Sequence, residues 1–317
     1  MYILEIILGA VLLSLGANFL TDGASAIAKR LKVSEFLIGV TIVAVGTSTP
    51  EFVVSLMSAI GGQSDVSIGN VVGSNIFNIY AILGITTIIA PLALTRENIR
   101  RDIPICLATT LLLCLLALDS LLWGAEGNIL GRGDGIVLIL LYGVFLWYMI
   151  RSGKENASTE QPAEQPKQKA IWLSILMIGG GLGGLVWGSD LFLDGSIILA
   201  RKAGLSEAVI GIVLVAAGTS LPEFFASFIS ALKGNTEIAL GNILGSNIAN
   251  ILLILGTSAT ITPLRLGGIT AVDMGVMLSA VVMVMLTAYT FRRKRIDSIE
   301  GLLFFGIYVA YTIYLLR

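Results

Sequence analysis

Long apolar blocks alternate along this chain with short polar gaps. A helix that crosses a bilayer needs about 20 mostly apolar residues at about 1.5 Å rise each. On that ruler the pattern predicts ten spans, at 2–28, 34–60, 66–92, 103–121, 134–150, 170–200, 205–232, 237–262, 269–290 and 298–316. The spans and their short loops use up nearly the whole chain, which leaves no sizeable soluble domain. The fold class predicted is an all-α integral membrane protein. The first block carries no basic leading segment, Glu5 being its first charge, and its apolar run continues too far for a secretory signal. It is expected to be a retained first span.

The pattern also repeats. "SEFLIGVTIVAVGTSTPEF" (34–52) aligns with "SEAVIGIVLVAAGTSLPEF" (206–224) at an offset of 172. The same offset matches "GNVVGSNIFNIYAILG" (69–84) with "GNILGSNIANILLILG" (241–256), and pairs Pro91 with Pro263. Between the copies, "RSGKENASTEQPAEQPKQK" (151–169) is rich in Gln, Glu, Lys, Ser and Pro and reads as a disordered linker. The chain therefore divides into a five-span repeat at 1–150, the linker, and a second five-span repeat at 170–317. Five is odd, so the second repeat enters the membrane from the opposite side. Two inverted five-helix repeats are a secondary-transporter architecture.

The matching residues are polar ones inside apolar blocks. In "GTSTPEF" (46–52), Thr47 and Ser48 lie four and three residues before Glu51, on one helical face. Pro50 has no N–H, so the Gly46 carbonyl loses its usual donor and the preceding turn is expected to open. Such backbone is tolerated at bilayer depth only where it lines a cavity or meets a ligand. "GTSLPEF" (218–224) rebuilds the cluster with Thr219, Ser220, Pro222 and Glu223. In "GSNIFN", Ser74 and Asn78 share a face, and Ser246 and Asn250 do so in the second copy. Asn75 and Asn247 sit beside that face and suit a contact between helices. Ser55 and Ser227 continue the glutamate face by one turn, and either packing or a polar path would use them. Asp22 and Asp194 fall near basic loop residues and suit interfacial roles. Gly69, Gly73, Gly241 and Gly245 suit close helix packing.

Composition sharpens this picture. The chain of 317 residues is 56% hydrophobic and 13% charged, and holds no histidine, which removes the commonest transition-metal ligand and general base. A net charge of −1 favours no nucleic-acid partner. Cys106 and Cys114 both fall in the fourth span and read as apolar filler. Of the 20 Lys and Arg, 15 lie in the odd-numbered loops, which places those loops and the linker in the cytoplasm and both termini outside.

The polar inventory is carboxylate, amide, hydroxyl and carbonyl oxygen. Such hard donors suit Na⁺, Ca²⁺ or Mg²⁺. A charge at a helix centre costs roughly 2.5–3.5 kcal/mol on insertion scales. The spans that carry Glu51 and Glu223 hold no Lys or Arg, so a bound cation is the natural counter-charge. One Ca²⁺ or two Na⁺ neutralise two glutamates, and competition at a site reached alternately from each side gives antiport. Protonation of a buried glutamate also competes with metal, which leaves a Ca²⁺/H⁺ antiporter open, as well as a cation channel. An intramembrane hydrolase is disfavoured, since nothing near the hydroxyls would activate them. No cofactor is expected beyond the transported ions, the bilayer is the surrounding partner, and the oligomeric state is left open.

"GTSTPE…GNVVGSNIFN" and "GTSLPE…GNILGSNIAN" resemble the two α-repeats of the cation/calcium exchanger superfamily, in particular its prokaryotic sodium/calcium exchangers. The resemblance implies a ten-helix fold with spans 2, 3, 7 and 8 forming a central diamond and spans 1 and 6 a sliding pair. It implies a ligand set of the Ala44 carbonyl, Thr47, Ser48, Glu51, Ser74 and Asn78 from the first repeat. The Ala216 carbonyl, Thr219, Ser220, Glu223, Ser246 and Asn250 come from the second. The two glutamates would bridge Ca²⁺. Some relatives, potassium-dependent exchangers among them, carry aspartate where this chain has Asn250, which argues against K⁺ co-transport. The site then stays at −2, and a third bound Na⁺ would make it net positive. The linker of 19 residues is too short for calcium-sensing domains. A prokaryotic inner or plasma membrane is the expected location.

Overall fold

In a computed structural model, the chain is described over residues 2–117, 128–156, 170–204, 216–289 and 294–316. The helices are α1 (Tyr2–Leu31), α2 (Glu35–Thr47), α3 (Thr49–Ile60), α4 (Ser64–Ile89), α5 (Ile103–Ala117), α6 (Arg132–Asn156) and α7 (Ile171–Lys202). After them come α8 (Ala216–Gly218), α9 (Leu221–Leu232), α10 (Thr236–Ile261), α11 (Ala271–Thr287) and α12 (Ser298–Leu315). Each predicted span overlaps at least one of them. Among the described residues, six helices are long and apolar enough to cross a membrane, and seven if α2 and α3 count as one bent span. The chain is a multi-pass membrane protein. Most of the linker (157–169) and the start of the seventh span (205–215) lie outside the described residues.

The repeat is visible in two pairs of helices. α3 and α9 start and end 172 residues apart, as do α4 and α10. Both long helices contain a π-helical stretch, Phe77–Leu83 in α4 and Asn250–Leu255 in α10. A wider π turn inside an α-helix commonly marks a functional position. A third lies at Gly39–Val43, just before the break that ends α2.

Contacts divide the chain into two compact units, and each draws on both sequence halves. The first comprises Met1–Ser48, Trp147–Ile243 and Val309–Arg317. Its main contact is between α1 and α7, which run antiparallel along a seam of glycines. Gly9, Gly16 and Gly23 recur every seventh residue in α1, and Gly181, Gly188 and Gly195 do so in α7. A Cβ added to Gly16 would sit 2.8 Å from the Gly181 carbonyl oxygen, and one on Gly181 would sit 2.6 Å from the Leu20 nitrogen. The backbones touch directly, and only glycine fits. Leu13, Ala17, Leu20, Ile178 and Leu185 fill the core beside the seam. At a second crossing, a Cβ on Gly241 would lie 2.7 Å from the Phe36 carbonyl oxygen, as close packing at that glycine requires.

The second unit comprises Thr49–Leu146 and Leu244–Tyr308. Equivalent glycines are used twice in it. Gly84 of α4 meets Gly301 of α12, and Gly256 of α10 meets Gly135 of α6. Tyr80 and Phe304 stack edge to face with ring centroids 6.0 Å apart. Two short ribbons tie the loops, β1 (Leu92–Ala93) to β4 (Arg295–Ile296) and β2 (Ile129–Leu130) to β3 (Leu264–Arg265), both antiparallel. The expectation for Gly73 is corrected, because a Cβ there would meet nothing within 4 Å among the described residues.

The glycine seam makes a direct prediction. Gly16→Leu drives a side chain into backbone and should destabilise the detergent-purified protein by about 1–3 kcal/mol or more. Gly179→Leu faces open space and should stay within about 0.5 kcal/mol of the parent. Thermal unfolding of both variants checks the contrast.

Candidate functional site

The two prolines set the local backbone. Pro50 cannot donate to the preceding turn, and the helix breaks two residues earlier. Ser48 takes φ −78° and ψ 10°, and the axis bends by 49° between α2 and α3. Ser220 takes φ −90° and ψ 8° before Pro222. Glu51 and Glu223 thus each fall in the first turn of a new helix, where the backbone dipole favours negative charge. Thr47, Ser48 and Glu51 therefore do not share one uninterrupted helical face, because the proline breaks the helix between them.

In the first unit, Glu223 is buried to 1% exposure. Ser48, from the first repeat, donates its hydroxyl to Glu223 Oε1 at 2.7 Å. The Glu223 backbone carbonyl accepts from Asn242 Nδ2 at 3.3 Å, and the same nitrogen lies 2.9 Å from Ser227 Oγ. Asn242 Oδ1 faces the Thr47 hydroxyl at 3.1 Å, with the Val43 carbonyl as a second acceptor at 3.0 Å. The Ala44 carbonyl accepts the Ser48 N–H at 3.0 Å. Thr219 Oγ1 is buried with no hydrogen-bond partner among the described residues. Ala216 begins α8, and Ser220, fully buried, is the cap residue at the start of α9. The carbonyl that Pro222 strips of its donor, that of Gly218, is not left bare, since Ser189 of α7 donates to it at 2.7 Å. The position of the first repeat that matches Ser189 is Ala17, which has no hydroxyl to offer.

In the second unit, Glu51 is likewise buried to 1% exposure. Its carbonyl accepts from Asn70 Nδ2 at 3.2 Å, and Asn70 lies 2.9 Å from Ser55 Oγ. This copies the Asn242 clamp at the matching position. Ser74, Asn78, Ser246 and Asn250 are all buried. Asn75 and Asn247 donate to one another's backbone carbonyls at 3.2 and 3.3 Å. Asn78 donates to Asn247 Oδ1 and Asn250 to Asn75 Oδ1, each at 2.9 Å. The Ser246 hydroxyl and the Asn78 and Asn250 carbonyl oxygens have no hydrogen-bond partner among the described residues.

Each unit thus holds one of the two repeat glutamates, buried, together with neutral oxygens drawn from both repeats. Among the described residues there is no group of three or more His, Cys, Asp and Glu side chains that could hold a metal.

Comparison with known proteins decides the family. A model described as sodium/calcium exchanger protein matches residues 1–151 and 173–317. The chain belongs to this exchanger family. It is 33% identical to the inner membrane protein YrbG of Escherichia coli, over 81% of this chain and 79% of that one. It is 31% identical to the sodium/calcium exchanger MaX1 of Methanosarcina acetivorans, covering 98% and 97%. A solved structure of the sodium-calcium exchanger NCX_Mj, soaked with Na⁺ and Ca²⁺, matches with a TM-score of 0.83 at 31% identity, covering 100% of this chain and 98% of that one. Members of this exchanger family are transporters, and the chain is not an enzyme.

Two site residues escape the sequence reading, Asn70 and Asn242. Their signal is the spacing 70, 74, 78 and 242, 246, 250, which extends the face of Ser74 and Asn78, and of Ser246 and Asn250, by one turn toward the start of each helix. Asp22 pairs with Lys233 at 2.6 Å. Asn242→Leu removes one hydrogen-bond partner from each of the Thr47 hydroxyl, the Ser227 hydroxyl and the Glu223 carbonyl. It should destabilise the protein by about 1–3 kcal/mol, read as a lowered midpoint in thermal unfolding.

Proposed function

We propose that this exchanger is an antiporter that moves Na⁺ against Ca²⁺ by alternating access, with Glu51 and Glu223 as the charged ligands of the transported ions. The observation that carries the proposal is the bond from Ser48 to Glu223. A hydroxyl of one repeat meets the carboxylate of the other in a buried setting, so the two copies contribute to shared chemistry rather than repeating it separately. The reading extends to the other oxygens expected of the site: the Ala44 and Ala216 carbonyls, Thr47, Thr219, Ser220, Ser74, Ser246, Asn78 and Asn250. Two carboxylates give −2, which one Ca²⁺ or two Na⁺ balance. The ions are substrates, and the protein supplies hard oxygens that suit both. The relatives named as sodium/calcium exchangers, MaX1 and NCX_Mj, support this choice of ions.

The topology proposed with it is ten spans in two inverted repeats, the termini outside and the linker in the cytoplasm of a prokaryotic inner or plasma membrane. Na⁺ entering from outside then displaces Ca²⁺ brought from within. One further reading has an observation in its favour. Both carboxylates are almost wholly buried, where a proton is an effective competitor for the oxygen a metal would use. H⁺ could therefore serve as the coupling ion on the same fold.

Proteoliposomes test both. A Na⁺ gradient should drive Ca²⁺ uptake in the parent, and either Glu51→Gln or Glu223→Gln should reduce uptake to the level of protein-free vesicles. Uptake that persists in both variants would contradict the site. Uptake driven by a pH gradient without Na⁺, and not by Na⁺, would select the proton reading.

A further inference from the structure

Four asparagines cross where α4 meets α10, and their hydrogen bonds admit a single arrangement. The starting points are two backbone carbonyls, which can only accept. The Asn75 carbonyl faces the Asn247 side chain at 3.3 Å, so Asn247 must turn its amide nitrogen toward it. Asn247 then presents Oδ1 on its other side, where Asn78 lies at 2.9 Å. Asn78 must answer with its own nitrogen, which turns Asn78 Oδ1 away from the network. The same sequence runs from the Asn247 carbonyl through Asn75 to Asn250, at 3.2 and 2.9 Å. Both Oδ1 atoms that emerge, on Asn78 and Asn250, are buried and have no hydrogen-bond partner among the described residues. Both residues are 1% exposed, as are Asn75 and Asn247. Flipping either outer amide would set oxygen against oxygen inside the network and present N–H groups in place of the carbonyl oxygen.

We infer that Asn75 and Asn247 are positioning residues that fix Asn250 and Asn78 with their carbonyl oxygens, rather than their N–H groups, presented to the transported cation. An amide offers a ligand at one end and a repellent donor at the other. A pair of neutral ligands built from amides therefore needs something to choose the end. The choice here is made by backbone, which cannot rotate away without undoing the helices. The inference rests on the reading of Asn78 and Asn250 as ion ligands, and it adds an orienting role to residues that would otherwise only join two helices.

A double-mutant cycle separates orientation from packing. The readout is the Ca²⁺ dissociation constant of the detergent-purified protein by titration calorimetry, with thermal unfolding to establish that each variant is folded. Asn75→Leu keeps the branched shape and removes the lock on Asn250. It should weaken Ca²⁺ binding about tenfold or more, the range found for residues that orient metal ligands. In an Asn250→Ala background there is no amide left to orient. There Asn75→Leu should change the constant by less than about twofold. An equal loss in both backgrounds would overturn the inference, because it would mean that Asn75 only packs. If Asn250→Ala weakens binding while Asn75→Leu does not, the orienting role fails and the ligand reading stands. If Asn250→Ala binds like the parent, the ligand reading at Asn250 fails and the inference with it. Should Asn75→Leu not fold, Asn75→Ala, which leaves space instead of filling it, carries the same comparison. The mirror set, Asn247→Leu with Asn78→Ala, should give the same pattern.

Discussion

The structure depends on one constraint. A carboxylate and the oxygens around it must be held between apolar helices, where water cannot satisfy them. Everything near Glu51 and Glu223 answers to this. Proline ends a helix just ahead of each glutamate, so the charge falls at the start of the next one. Asparagines from the neighbouring long helices take up the glutamate carbonyls. Ser48 supplies a hydroxyl to the Glu223 carboxylate itself. Broken backbone, buried charge and buried amides would each destabilise a membrane protein alone. Together they satisfy one another and still leave buried neutral oxygens without a hydrogen-bond partner among the described residues.

The two units handle the problem with different packing. In the first, α1 and α7 meet backbone to backbone along heptad-spaced glycines, which makes a smooth, tightly joined pair. In the second, glycine contacts at Gly84 and Gly256 bring neighbouring helices close to the segments that carry Asn78 and Asn250. The π-helical stretches fall at these same segments in both repeats. The amide network therefore sits on backbone that packing holds firmly, as a precise ligand geometry requires.

Much of this was legible in the sequence. The offset of 172 residues paired every expected ligand of one repeat with its twin, and the pairing reappears in matching helices and matching hydrogen bonds. The glutamates stood out because a charge in an apolar block needs a reason. What escaped was the identity of partners across helices. Helical spacing says which residues share a face, but it does not say what that face meets. Asn70 and Asn242 belong to the face of Ser74 and Asn78, and of Ser246 and Asn250, by spacing, yet their bonds to the glutamate carbonyls are tertiary. Ser189 was invisible because repeat logic looks for twins, and its twin is Ala17. A carbonyl freed by Pro222 was expected to wait for a ligand, whereas it bonds to Ser189. Gly73 matched a small-residue pattern but meets no close neighbour, because a pattern of small residues does not say which of them lies at a crossing.

The central claim is that both repeats serve one divalent ion. Ca²⁺ binding to the purified protein by titration calorimetry tests it most directly, on the parent and on Glu51→Gln and Glu223→Gln separately. The account predicts one Ca²⁺ per chain, displaced by Na⁺, and no measurable binding once either glutamate is replaced. Two Ca²⁺ per chain, with one surviving each substitution, would contradict it.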